Sequence, residues 1–295
     1  MVDADSDSVD GSRAEPDDSP STIAAPPGTT EPPSTSLPET STTTPPPTEL
    51  PPPTPAPGPP ANPDYSATVA AFDRLARSNA AAQLSVVRGG ELVVSLASGS
   101  TLDGQPATAD SPMVVASVSK LVVAMGIARL DEQGLIDIDE PVPWNDLGLT
   151  PNMGWAFVTV RELLDHTSGL PKARFSWFTG EGDCPAHVST LLAPPPNRDR
   201  GRWGYSNGNY CILGLLVSAR TGLPLDAALQ QLVFDPIGVD GVHLTDDGLL
   251  PTDVDHPDGV ARLSRLGGAG TLIVSTDDTA LMLGRATPAA LAVLP

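Results

Sequence analysis

Eighteen of the 34 prolines stand in the first 64 of 295 residues, and this segregation decides which part of the chain can build a core. The same 64 residues carry 18 Ser and Thr, no aromatic side chain, 11 acids against the single base Arg13, and only 12 apolar residues. Proline fixes φ and removes a donor, and so few apolar groups cannot offset the entropy of ordering a chain. Residues 1–64 are therefore predicted to be a disordered acidic spacer, with polyproline-II character from Pro45 to Pro60. The Thr/Pro mixture is similar to that of O-glycosylated or wall-spanning linkers, and no chemistry is assigned to it.

From Tyr65 the composition changes, and 65–295 is predicted to be one globular domain holding every aromatic residue of the chain. The formal charge of -20 divides evenly, 1 - 11 = -10 before residue 65 and 15 - 25 = -10 after it. Such a surface excludes nucleic acid and an anionic membrane as default partners. The best apolar runs, Leu121 to Ala128 and Cys211 to Ala219, fall short of the ~18 residues a membrane helix needs, so no span is expected. The expected state is a monomer. The N-terminus, Met-Val-Asp-Ala-Asp, lacks the basic and apolar regions of a secretory signal, whereas a Pro/Thr spacer suits an exported protein. The expectation is an extracellular or cell-envelope location whose signal is not present in this sequence, with the cytoplasm as the lesser alternative.

The only cysteines, Cys184 and Cys211, either form a disulfide in an oxidising compartment or stay as two buried thiols. The histidines at 166, 187, 243 and 256 show no paired spacing and no C-x-x-C occurs, so no metal site and no cofactor is expected. The acidic turn Asp253-Val-Asp-His-Pro-Asp258 lacks the spacing of a calcium loop and reads as a solvated turn.

Along the domain the pattern mixes α and β. Val69, Phe72, Leu75 and Ala76 share one helical face, predicting a helix over 66–78. Two β-rich runs, Gln83 to Arg88 and Glu91 to Ala97, flank Gly89-Gly90, a pair that accepts the positive φ of a two-residue hairpin turn. A helix is predicted from near Ser117 through Leu130, ended by Gly134. Thr159 with Glu162 forms a capping box for a short helix reaching Leu164. Another helix follows Tyr205, and Ser275 with Asp278 caps the last one.

The chemistry begins at Ser117-Val-Ser-Lys120. On a helix, a lysine three residues after a serine lies on the same face, so the amine can take the proton of a serine nucleophile. Lysine is scarce here: Lys120 and Lys172 are the only two, and arginine cannot give up its proton in their place. Tyr205-Ser206-Asn207 adds a phenol able to act as general base and an amide able to bind substrate. Both motifs in this order arise by chance about once in a hundred such chains. Phe175, Trp177 and Trp203 either line the cleft or belong to the core.

Taken together these residues resemble the penicillin-recognising serine hydrolases, which include class C β-lactamases, D-alanyl-D-alanine carboxypeptidases and related esterases. Gly134-Leu-Ile-Asp-Ile-Asp-Glu-Pro-Val142, Val160-Arg-Glu-Leu-Leu-Asp-His-Thr-Ser-Gly-Leu-Pro171, Asp235-Pro-Ile-Gly238 and Gly267-Gly-Ala-Gly270 are similar to family segments, so the resemblance runs from about Asp64 to Leu283. It implies an α/β (α+β) fold of the β-lactamase/DD-peptidase type, an antiparallel sheet flanked by helices plus a helical subdomain. It also implies an acyl-enzyme on Ser117, proton transfer by Lys120 and Tyr205, and Asn207 on the substrate amide. The substrate would be a small molecule or a peptidoglycan-type peptide with an amide, β-lactam or ester bond. His166 and Ser168 stand in a turn that the family uses as scaffold, which argues against a Ser–His triad. No Lys-Thr-Gly or His-x-Gly follows Tyr205, so the family's third motif, with half its oxyanion hole, is missing. The expectation is a domain without its C-terminal strands, a fragment of a longer hydrolase before a degenerate homologue. The competing reading is a non-catalytic envelope protein that keeps the fold as a binding or structural module.

Overall fold

The predicted 66–78 face forms as helix α1 (Ser66–Ala76), with Phe72 and Ala76 buried and Leu75 exposed. The computed structural model describes residues 64–77, 79, 81–101, 104–172, 182–196, 199–239 and 266–292. Pro45 to Pro60, Phe175, Trp177 and the Asp253 to Asp258 turn lie outside them. Strands β1 (Ala81–Arg88) and β2 (Glu91–Gly99) pair antiparallel, with Arg88 opposite Glu91. Gly89 and Gly90 both take positive φ, 59° and 83°, as a turn matched to strand twist requires.

A two-residue strand, β3 (Met113–Val114), leads through a 3-10 turn at Ala116–Val118 into α2 (Ser119–Glu132). Residues 122 to 128 of α2 and Leu130 are all buried. A helix apolar on every side must run through the core, and α2 does. Its neighbours approach closely, because a Cβ on Gly126 would lie 2.8 Å from Leu229 Cδ2. Gly134, at φ 68°, stops the chain from continuing as helix.

Next come α3 (Val160–Leu164), started by the Thr159–Glu162 capping box, and α4 (Cys184–Leu192), capped by Asp183. Helix α4 is not legible in the sequence, because Pro185 and the short run around it carry little period, yet proline suits a first helical turn. Helix α5 (Asn207–Thr221) is capped by Ser206, whose hydroxyl accepts from Gly208 N–H. It is followed by α6 (Leu225–Leu229), then a π turn at Gln230–Phe234.

Strand β4 (Ile273–Val274) pairs antiparallel with β3, and α7 (Thr276–Arg285) begins at the cap on Ser275. It is not the final helix: after the extended Ala286, α8 (Pro288–Ala292) follows. Helix α7 packs on the hairpin so closely that a Cβ on Gly284 would collide with Val87. Ser85 and Ser95, one from each strand, donate their hydroxyls to the Asp277 carboxylate at 2.5 and 2.8 Å. The described strands thus make two antiparallel pairs, β1–β2 and β3–β4, backed by helices in the α/β (α+β) arrangement expected. No single helix among the described residues is long and apolar enough to cross a membrane.

Candidate active site

Strand pairing delivers Ser117. Val114 lies opposite Ile273, Val115 N–H donates to the Leu272 carbonyl, and Leu272 N–H donates to Ser119 Oγ at 3.1 Å. The chain then turns sharply: Ala116 sits at φ 44°, a left-handed conformation that a non-glycine residue adopts at a cost of about 1–3 kcal/mol. Ser117 consequently stands exposed in the 3-10 turn, two residues before α2 begins. The helix start is displaced from Ser117 to Ser119 because the strand-to-helix corner needs this extra turn.

Lys120, in the first turn of α2, is only 4% exposed. Its Nζ donates to the carbonyl of Ala269 at 2.5 Å and lies 3.3 Å from Ser117 Oγ. Burial pushes the Lys120 ammonium from 10.5 down to about 8, since desolvation penalises the charged form. The amine also sits 4.9 Å from the ring centroid of Tyr205 and 5.9 Å from that of Tyr210, so two π faces offset part of that penalty.

Tyr205 reaches the nucleophile from the other side, its phenol oxygen 2.8 Å from Ser117 Oγ. Ser117, Lys120 and Tyr205 therefore meet as their motifs suggested. Asn207 does not join them; it opens α5, and its buried Oδ1 lacks a hydrogen-bond partner among the described residues. Such an atom costs free energy until something donates to it. Trp203 is 71% exposed and so is not core.

His166 and Ser168 share no hydrogen bond. Ser168 Oγ donates instead to Asn209 Oδ1 at 2.6 Å, which disposes of a triad at that turn. Cys184 and Cys211 form a disulfide that ties α4 to α5.

Three contributors escaped sequence reasoning. The Ala269 carbonyl is one, since a main-chain acceptor leaves no mark in residue type. The only hint was Gly267-Gly-Ala-Gly270: a Cβ on Gly268 would sit 2.6 Å from the Tyr210 carbonyl, so this turn must be bare to lie against α5. Tyr210 is the second, buried, with its hydroxyl donating to the Leu164 carbonyl at 3.1 Å. Burial pushes its phenol well above the usual range, with Asp165 and Tyr205 adding to the effect, so Tyr210 stays neutral. Ser119, which anchors Leu272, is the third.

The family model described as Beta-lactamase matches residues 66–292. Penicillin-binding protein 4* of Bacillus subtilis (strain 168) is 29% identical over 167 residues, covering 52% of this chain and 35% of its own length. Esterase/beta-lactamase LipL of Mycobacterium tuberculosis (strain ATCC 25618 / H37Rv) is 31% identical over 161 residues, covering 54% of this chain and 36% of its own. Among solved structures, D-amino acid amidase from Ochrobactrum anthropi SV3 is similar with a TM-score of 0.57 at 24% identity, over 72% of this chain and 67% of that one. This chain thus spans about a third of the length of the two curated relatives.

Proposed function

The chain belongs to the Beta-lactamase family, and on that premise we propose that it is a serine hydrolase that forms an acyl-enzyme on Ser117. The observation that carries the reading is one exposed hydroxyl held 2.8 Å from a phenol and 3.3 Å from a buried, easily deprotonated amine. Neutral Lys120 keeps one N–H on the Ala269 carbonyl and offers its lone pair to Ser117. As Oγ attacks the substrate carbonyl, its proton passes to Lys120 or Tyr205 and from there to the leaving group, and water then releases the acid. Asn207 is assigned to the substrate amide on its Tyr-x-Asn motif alone, and its buried Oδ1 has to turn outward to accept a substrate N–H.

The substrate is an amide, ester or β-lactam; the names of the relatives divide between penicillin binding and esterase activity, and the same trio serves both. The Cys184–Cys211 disulfide favours an oxidising compartment, so we place the protein in the cell envelope or outside the cell.

The test is covalent labelling of the full chain with a fluorescent penicillin and, separately, a fluorophosphonate. Labelling of the wild type but not of Ser117→Ala supports the hydrolase. A well-folded wild type that takes neither probe at any concentration favours a non-catalytic module.

A further inference from the structure

His166 bonds to the chain on both sides of Tyr205. Its carbonyl accepts from Gly204 N–H at 2.8 Å, and its Nδ1 accepts from Ser206 N–H at 3.3 Å. Its ring lies against the phenol, centroids 4.8 Å apart and planes inclined at 40°. The next residue extends the zipper, Gly201 N–H donating to the Thr167 carbonyl at 2.7 Å. His166 can do this because its backbone is left-handed, φ 57°, which turns both the carbonyl and the ring toward the Tyr205 loop.

The protonation state follows from the partners. A main-chain N–H can only donate, so Nδ1 must accept from Ser206. Asn209 Oδ1 already takes the Ser168 hydroxyl, so its Nδ2 faces the same Nδ1 at 2.9 Å. Two donors on one nitrogen leave no room for a proton there.

We propose that His166 is a positioning residue for Tyr205, holding the phenol against Ser117 as a neutral imidazole whose Nδ1 only accepts. The groups that face it fit this role. Tyr205 and Tyr210 flank the ring, the charge of Lys120 on α2 acts on it, and Asp165 precedes it in the turn. Burial first, and then the charge of Lys120, push the imidazole from 6.5 down to about 4. Protonation at Nδ1 would set an N–H against two N–H donors, release Ser206 and free the phenol. The consequence for catalysis rests on the serine-hydrolase reading; the clamp itself does not.

The experiment follows Tyr205 in the full chain labelled with ring-carbon-13 tyrosine, its NMR signal assigned through Tyr205→Phe. In the wild type the Tyr205 signal is expected to shift with an acid midpoint near 4 while the Tyr65 and Tyr210 signals still report a folded domain. His166→Asn suits the left-handed backbone but offers no ring. There the Tyr205 signal is expected to move at neutral pH and to lose the acid step. The maximal labelling rate of Ser117 should fall about 10- to 100-fold with half-saturating probe changed by less than about two-fold. An unmoved Tyr205 signal together with an unchanged labelling rate in His166→Asn overturns the clamp. If that variant does not fold, a wild-type Tyr205 signal that changes only with global unfolding overturns it equally. A wild type that never labels defeats the hydrolase reading, while the NMR signals still decide the clamp.

Discussion

Lys120 joins stability and chemistry in one side chain. Its amine titrates near 8 in the fold against 10.5 when unfolded, so the folded state binds fewer protons between those values. The charged form is the costly one: below pH 8 its burial opposes folding, and that cost of about 3 kcal/mol is relieved as pH rises from 8 to 10.5. Under the proposed mechanism the same titration governs reactivity, because an ammonium cannot take the proton of Ser117. The rate of Ser117 acylation is therefore expected to rise with pH, with a midpoint near 8, and to level off above it. A labelling-rate profile that stays flat from pH 7 to 9 would remove Lys120 from the proton path. At this scale the sequence was informative wherever chemistry depends on residue type and short spacing. Ser117 and Lys120 are three apart on one turn, and the scarcity of lysine singled out the pair. Tyr205 needed the fold to bring it from 88 residues away.

Elements were legible where a local rule sufficed. The Gly89-Gly90 turn, the stop at Gly134 and the Thr159–Glu162 box each depend on a few consecutive residues, and each forms. The box also reaches outward. Glu162 pairs with Arg200 through two hydrogen bonds of 2.9 Å, and Arg200 backs Gly169 in the turn that follows His166. Thr159→Ala is expected to cost about 1–2 kcal/mol, read as a lower urea midpoint at unchanged slope; no shift would show that Glu162 caps α3 unaided. Strands β3 and β4 are too short to show an alternation, and the 3-10 turns at Trp144–Leu147 and Met153–Trp155 have no helical period. The second turn is also fixed from a distance, Trp155 Nε1 donating to the Pro194 carbonyl and Asn152 N–H to that of Leu192.

Across the whole domain, α2 and α5 form the centre, and both the disulfide and the 267–270 turn press on α5. A Cβ on Gly267 would lie 2.9 Å from Cys184 Sγ, so the bridge is packed behind the turn whose Ala269 holds Lys120. Closing a separation of 27 residues restricts the unfolded chain by about 3–4 kcal/mol. Reduction, or a Cys184→Ser/Cys211→Ser double variant, is expected to lower Tm by about 10 °C and to slow Ser117 labelling. Calorimetry with and without reductant checks the first, and an unchanged Tm would mean that α4 is held without the bridge.

The sequence by itself determined how the hairpin turns, where the helix after Ser117 stops, how the helix at Val160 is capped, and which serine and lysine share a face. Each follows from composition or from contacts within one or two turns of chain. Only the tertiary structure decided that Tyr205 completes the contact, that the Ala269 carbonyl and the His166 imidazole fix Lys120 and Tyr205, and that Ser117 stands just ahead of its helix. Those outcomes depend on main-chain groups and on partners tens of residues away, and a main-chain carbonyl has the same chemistry in every residue until folding gives it a neighbour.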